Sequence, residues 1–172
     1  DSLQASAGEG LMIHYALENR ANGMSLEDNA SWIEQNVQNF IAWFTVDDLK
    51  YLRRGGRISS TSAIFGSMLD IKPIITMGKG GKMDPAEKVQ GRKKALRTIC
   101  DRVAEYIENP ESQTVVILHG DVEEEAQKFA DMLKKRIPEI REIRLQMIGP
   151  VIGAHCGPGT IAACFMGKER TI

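Results

Sequence analysis

The spacing of apolar positions divides the chain into helices and strands that alternate along most of its length. Gly10 to Arg20 joins helix-forming residues to Leu11, Met12 and Tyr15, and Asn22-Gly23 supplies a left-handed C-terminus. Ser25 with Asp28 three residues on resembles a capping box. The helix that it starts places Leu26, Ala30, Ile33 and Val37 on one face. Residues 1–40 thus read as two amphipathic helices, whose stripes need a further element or a sheet to bury them. Ile41 to Val46 reads as a strand. Asp47 caps a short helix through Leu49 and Leu52, and Gly55-Gly56 stops it. Ser59 to Asp70 is a loop or a short helix. Ile71 to Met77 and Lys82 to Gln90 form a hairpin across Gly78-Lys79-Gly80-Gly81, where glycines admit positive φ. Gly91 to Asn109 carries Leu96, Ile99, Val103, Tyr106 and Ile107 as a helical stripe that Asn109-Pro110 ends. A strand at Thr114 to Leu118, a helix at Val122 to Arg136, and strands at Ile140 to Met147 and Thr160 to Met166 complete the pattern.

Strands and helices intermixed with a hairpin predict an α/β fold built on a sheet of mixed direction, with helices on at least one face. The division expected is residues 1–40 as helices of an upstream domain and residues 41–172 as a domain with its own core. The chain opens Asp1-Ser2-Leu3-Gln4 and turns helical almost at once, which suggests a longer polypeptide that has lost its beginning.

Composition narrows the partners. Of 172 residues, 42% are apolar and 26% charged, and the formal net charge is -1, so nothing draws the whole protein to nucleic acid or an anionic membrane. Recognition must be local. Cys100, Cys156 and Cys164 form no C-x-x-C pair, which argues against a disulfide framework and for a cytoplasmic protein. No zinc-ligand spacing occurs. Runs such as Val115 to Leu118 and Ile161 to Met166 are too short to span a bilayer.

Chemistry gathers in two glycine-rich places. In Leu52-Arg53-Arg54-Gly55-Gly56-Arg57-Ile58-Ser59 the glycines let the backbone turn and bring a guanidinium and free N–H groups toward an anion. The same arginines also suit a solvated helix end. Arg57 stands out because it lies beyond the glycines. In Gly149 to Thr160, His155 is held among four glycines and two prolines, where imidazole can donate to a carboxylate or act as acid or base. Cys156 beside it reads as a packing residue, since sequence neighbours point apart. His119 is a weaker candidate and His14 an ordinary helix position. Gly78 to Lys82 lacks the spacing of a phosphate loop, no hydrolase elbow or metalloprotease helix occurs, and Gly91-Arg92-Lys93-Lys94 reads as a solvated helix start.

Taken together, these segments resemble the DegV family. The likeness rests on Asp1-Ser2 with Ala5-Ser6 and Gly8-x-Gly10, and on Phe44-Thr45-Val46-Asp47-Asp48-Leu49-x-Tyr51-Leu52-x-Arg54-Gly55-Gly56-Arg57-Ile58-Ser59. It continues through Leu69-x-Ile71-Lys72-Pro73-Ile74 to His155-x-Gly157-Pro158-Gly159-Thr160. The resemblance implies a two-layer α/β domain with a mixed sheet, preceded by helices of a truncated upstream α/β/α domain. It also implies a bacterial carrier, without catalytic residues or a cofactor of its own, that buries the tail of one long-chain fatty acid. Such a carrier is the binding subunit of a fatty acid kinase, whose separate ATP-using subunit phosphorylates the carboxylate. By the same resemblance His155 helps to hold the carboxylate and Arg57 lies at the entrance and works with the kinase. Hydroxyl residues of the first domain that complete the site have no counterpart here. Burying a sixteen-carbon tail is worth about 12 kcal/mol at roughly 0.8 per methylene. Ile64, Phe65, Met68 and Leu69 are possible tunnel wall, or ordinary core. Two other readings stay open: an acyl-processing enzyme with His155 as base and Cys156 or Ser59 as nucleophile, and a scaffold fragment that binds nothing.

Overall fold

The computed structural model describes residues 1–58 and 70–170. Its elements are α1 (Ala7–Ala21), α2 (Leu26–Asn36), β1 (Phe40–Thr45), α3 (Lys50–Arg54), β2 (Ile71–Met77), β3 (Met83–Gln90), α4 (Arg92–Tyr106), β4 (Thr114–His119), α5 (Glu123–Arg136), β5 (Glu142–Met147), α6 (Pro150–Cys156) and β6 (Ile161–Met166).

Local signals explain most of the boundaries. Ser25 caps α2, accepting from the Asp28 N–H at 3.1 Å while its hydroxyl donates to the Asp28 carboxylate at 2.7 Å. Glu123, Glu124 and Glu125 open α5 and Lys134, Lys135 and Arg136 close it, the charge order that a helix dipole favours. The cap of α3 differs from expectation. Asp48, not Asp47, accepts from the Lys50 N–H at 2.8 Å, and its hydrogen-bonded contact with the Lys50 ammonium holds the carboxyl below its usual range. Asp47 turns to the Lys72 ammonium instead, which also donates to the Asp47 carbonyl at 3.2 Å.

The strands form one six-stranded sheet in the order β3-β2-β1-β6-β4-β5. All pairs are antiparallel except β4 with β5, so the sheet is mixed as expected. Every residue of β1 is buried, because the strand is central and covered on both faces. Alternation sends Ile41 and Trp43 to one face, beneath α4 and α5, where Ile99, Val103, Phe129 and Leu133 pack. This sheet with its α4–α5 layer is the two-layer α/β unit. Phe40, Ala42 and Phe44 face the other way, toward α1, α3 and α6.

That second face supplies the sheet that the stripe of the first opening helix needs. Ala7, Leu11 and Met12 of α1 are buried in the same cluster as Phe40, Ala42 and Cys164. The uninterrupted apolar run of β1 was the available signal, since a strand buried on both sides needs helices on both sides. The opposite side of α1 stays open, with Ile13 at 58% and Leu17 at 56% exposure, and α2 buries no residue completely. The segment before α1 is pinned by Arg170, only 3% exposed. Its guanidinium donates to the carbonyls of Leu3 (3.0 Å), Gly78 (3.0 Å) and Val37 (2.8 Å), and burial pushes its pKa down.

Candidate functional site

The two glycine-rich segments, far apart in sequence, meet at one end of the sheet. β1 ends there and leads into α3, while β5 ends there and leads into α6. The stretch Gly149 to Thr160, expected as a constrained loop, holds a helix of two turns with Pro150 at its first position, where the missing N–H costs nothing. His155 lies in the last turn of that helix and rests directly on Gly55, the residue that ends α3. A Cβ on Gly55 would lie 2.1 Å from His155 Nδ1, so only glycine lets the ring approach. A second close approach joins the same elements. Gly157, at φ +78, presses on the Tyr51 ring, where a Cβ would come within 2.3 Å of Cδ2.

His155 is half-buried. Its Nδ1 is sealed against Gly55 without a hydrogen-bond partner, and Nε2 has none among the described residues. Arg57 is exposed and its Nη1 donates to the Gly55 carbonyl at 2.7 Å. Thus His155 and Arg57, the two residues singled out from the sequence, both contact Gly55. The Cys156 side chain goes the other way, into the core cluster on the α1 face. Burial pushes its thiol pKa up and keeps it protonated, the opposite of what a nucleophilic cysteine needs. His119 is 5% exposed, and strand alternation puts it on the α5 side of β4, away from His155. His14 pairs with Glu18 at 3.6 Å along α1, an ordinary helix position. Ser59, Ile64, Phe65, Met68 and Leu69 lie outside the described residues.

Beside Cys156 opens an apolar cavity that sequence reading missed. Its floor is the sheet, where Ala42, Phe44, Ala162 and Cys164 stand on adjoining positions of β1 and β6. Ala5 and Ser6 roof it, in the segment that Arg170 pins; Leu3 and Ser6 hold positive φ there without being glycine. Ile148, Ile152 and Cys156 line one end, Met77 and Met83 the other. From Leu118 on β4 to Met83 on β3 the lining crosses four strand intervals, about 19 Å at roughly 4.8 Å each. The lining is almost wholly apolar, suited to a hydrocarbon and to little else. No periodic pattern announces such a cavity. Its one sequence trace is the small residues at Ala42, Ala162 and Cys164 in otherwise bulky strands.

Arg92 also departs from expectation. Lys93 and Lys94 are exposed, but Arg92 turns inward and binds the Glu125 carboxylate through Nε (3.1 Å) and Nη2 (2.7 Å). Nη2 also donates to the carbonyl of Gly159, in the segment that carries His155. Among the described residues no group of three His, Cys, Asp or Glu could hold a metal ion, and no helix is long and apolar enough to cross a membrane.

Comparison with known proteins shows the family and the fold. A family model described as "Uncharacterised protein, DegV family" matches residues 1–168. A DegV domain-containing protein of Clostridium perfringens is 40% identical over 170 residues, which are 99% of this chain and 58% of that protein. Among solved structures, a DegV family protein of Thermus thermophilus described by its fatty acid binding is 29% identical. It superposes with a TM-score of 0.87 over 97% of this chain and 59% of its own. The Streptococcus pneumoniae fatty acid kinase Fak B3 protein, loaded with linoleic acid, has a TM-score of 0.85 over 98% of this chain and 59% of its own. At 16% identity that likeness concerns the fold. The chain therefore spans somewhat over half the length of the proteins it matches.

Proposed function

Since this chain belongs to the DegV family, we propose that it binds a long-chain fatty acid and presents the carboxylate to a separate ATP-dependent kinase subunit that forms the acyl phosphate. The observation that carries this reading is the junction at Gly55, where the His155 imidazole, without a hydrogen-bond partner among the described residues, lies one residue from Cys156 at the end of an apolar cavity. The tail supplies most of the affinity through burial. The carboxylate cannot follow it into the cavity without a partner, because an unpaired buried charge is costly. It stays at the end of the sheet, within reach of His155. Arg57, exposed and held to the Gly55 carbonyl, stands at the mouth, where a kinase meets the headgroup.

The fatty-acid part of the reading is supported by the Thermus thermophilus relative, and the kinase part by the fold shared with the Fak B3 protein. In this reading residues 1–40 also face an upstream domain, with the open side of α1 as the seam, and the protein works in the cytoplasm. The direct test is organic extraction of the purified full-length protein followed by mass spectrometry. A long-chain fatty acid in near-stoichiometric amount is the expected result. A protein that releases none, and takes up none from added palmitate, is a scaffold, and the proposal fails.

A further inference from the structure

The cavity is half open, with a volume of about 50 Å³. How far an acyl chain runs along it depends on how much the lining yields. Most of it has little to give. Ala42 and Ala162 have no rotamers, Cys164 is 1% exposed in the centre of the sheet, and Phe44 is a rigid ring 6% exposed. Among the described lining residues, the most adaptable side chains are at the end formed by the β2–β3 hairpin, where Met77 and Met83 are direct cross-strand partners and both line the cavity. Methionine is unbranched, with three rotatable bonds and a polarisable sulfur, and fills irregular space at little cost. Met77 is buried, whereas Met83 is half-buried on the edge strand and can swing outward without meeting another strand.

We propose that Met77 and Met83 together form an adjustable end wall of the acyl channel and determine which tails this protein accepts. The inference rests on the fatty-acid reading above. Short acids end before the wall and do not sense it. Long acids displace it, and a cis double bond, which bends the chain, demands the larger displacement. The pair thus gives this protein tolerance of long and bent acyl chains, where a stiff wall would accept only short or straight ones.

The test uses the full-length protein and displacement of a fluorescent fatty acid by decanoate, palmitate and oleate. Met77→Ile/Met83→Ile keeps the wall apolar but stiffens it, since β-branching restricts χ1. We expect its oleate affinity to fall about tenfold relative to decanoate, with palmitate between them. Met83→Ala, at a half-exposed position that tolerates truncation, should change the same ratio in the opposite direction, by several-fold. Because each ratio is taken within one protein, a general loss of stability does not imitate the result. If wild type binds all three acids and neither variant moves the oleate-to-decanoate ratio by more than twofold, the end-wall role is wrong while the fatty-acid reading stands. If wild type binds none of the three, both fail.

Discussion

Replacing Gly55 by alanine separates the close contact at the site from ordinary backbone effects. Gly55 has φ −76 and ψ −2, a conformation that alanine adopts freely. On backbone grounds alone Gly→Ala there should stabilise the protein by about 0.4–1 kcal/mol, by reducing the freedom of the unfolded chain. The structure predicts the opposite sign. The new methyl would lie 2.1 Å from His155 Nδ1 and 3.1 Å from Cε1, whereas ordinary contact begins near 3.4 Å, so the ring or α6 must retreat by more than an ångström. His155 is in the last turn of a short helix that Gly157 seats against Tyr51, which leaves it little room to retreat. Overpacking of this kind costs about 1–3 kcal/mol, enough to exceed the backbone gain. The net expectation is a loss of about 1–2 kcal/mol, or roughly 2–8 °C in Tm for a chain of this size, together with weaker fatty-acid retention. The decisive comparison is the double variant Gly55→Ala/His155→Ala. Removing the imidazole removes the obstacle, so the alanine at 55 should become neutral or stabilising in that background. Urea denaturation of wild type, both single variants and the double variant gives the coupling energy. A Gly55→Ala protein as stable as wild type, or a double variant showing no coupling, would refute the contact between α3 and α6 on which the site is built.

His155→Ala alone should weaken fatty-acid retention by about 1.5–3 kcal/mol, the worth of a hydrogen bond to a charged group, and titration with a fluorescent acid measures it. Unchanged retention would remove His155 from the carboxylate site. On the proposed function, Arg57→Ala should leave acid binding within twofold of wild type but depress acyl phosphate formation by an added fatty acid kinase subunit, because the side chain is exposed; kinase-coupled turnover at the wild-type rate counts against it. Burial pushes the Cys100 thiol up to about 11 and Cys164 up to about 12 from an ordinary 9. The unfolded chain therefore loses these protons first, and stability should fall as pH rises above about 9. Denaturation midpoints between pH 8 and 11 should show that decline, and Cys100→Ala/Cys164→Ala should flatten it; an unchanged slope would mean that neither thiol drives it.

What the sequence by itself determined was whatever depends on residues a few positions apart. Ser25 caps α2 through Asp28 with no help from the rest of the fold, and the glycines from Gly78 to Gly81 turn the hairpin where they stand. The short apolar runs of the strands and the helical spacing between them placed most of the elements, and the two glycine-rich motifs around Gly55 and His155 come together at one end of the sheet. Tertiary structure decided everything that depends on distant residues meeting. Leu11 found a sheet because both faces of Phe40–Thr45 had to be covered, and Arg92, one cation in a basic run, turned inward to Glu125 and Gly159. The cavity over Ala42 and Cys164 exists because small side chains from strands far apart in sequence became neighbours in register. Capping and period are carried by bonds within one or two turns of chain and can be read in one dimension. Close approach, burial and empty volume are properties of surfaces brought together, and they take their value only when the chain has folded.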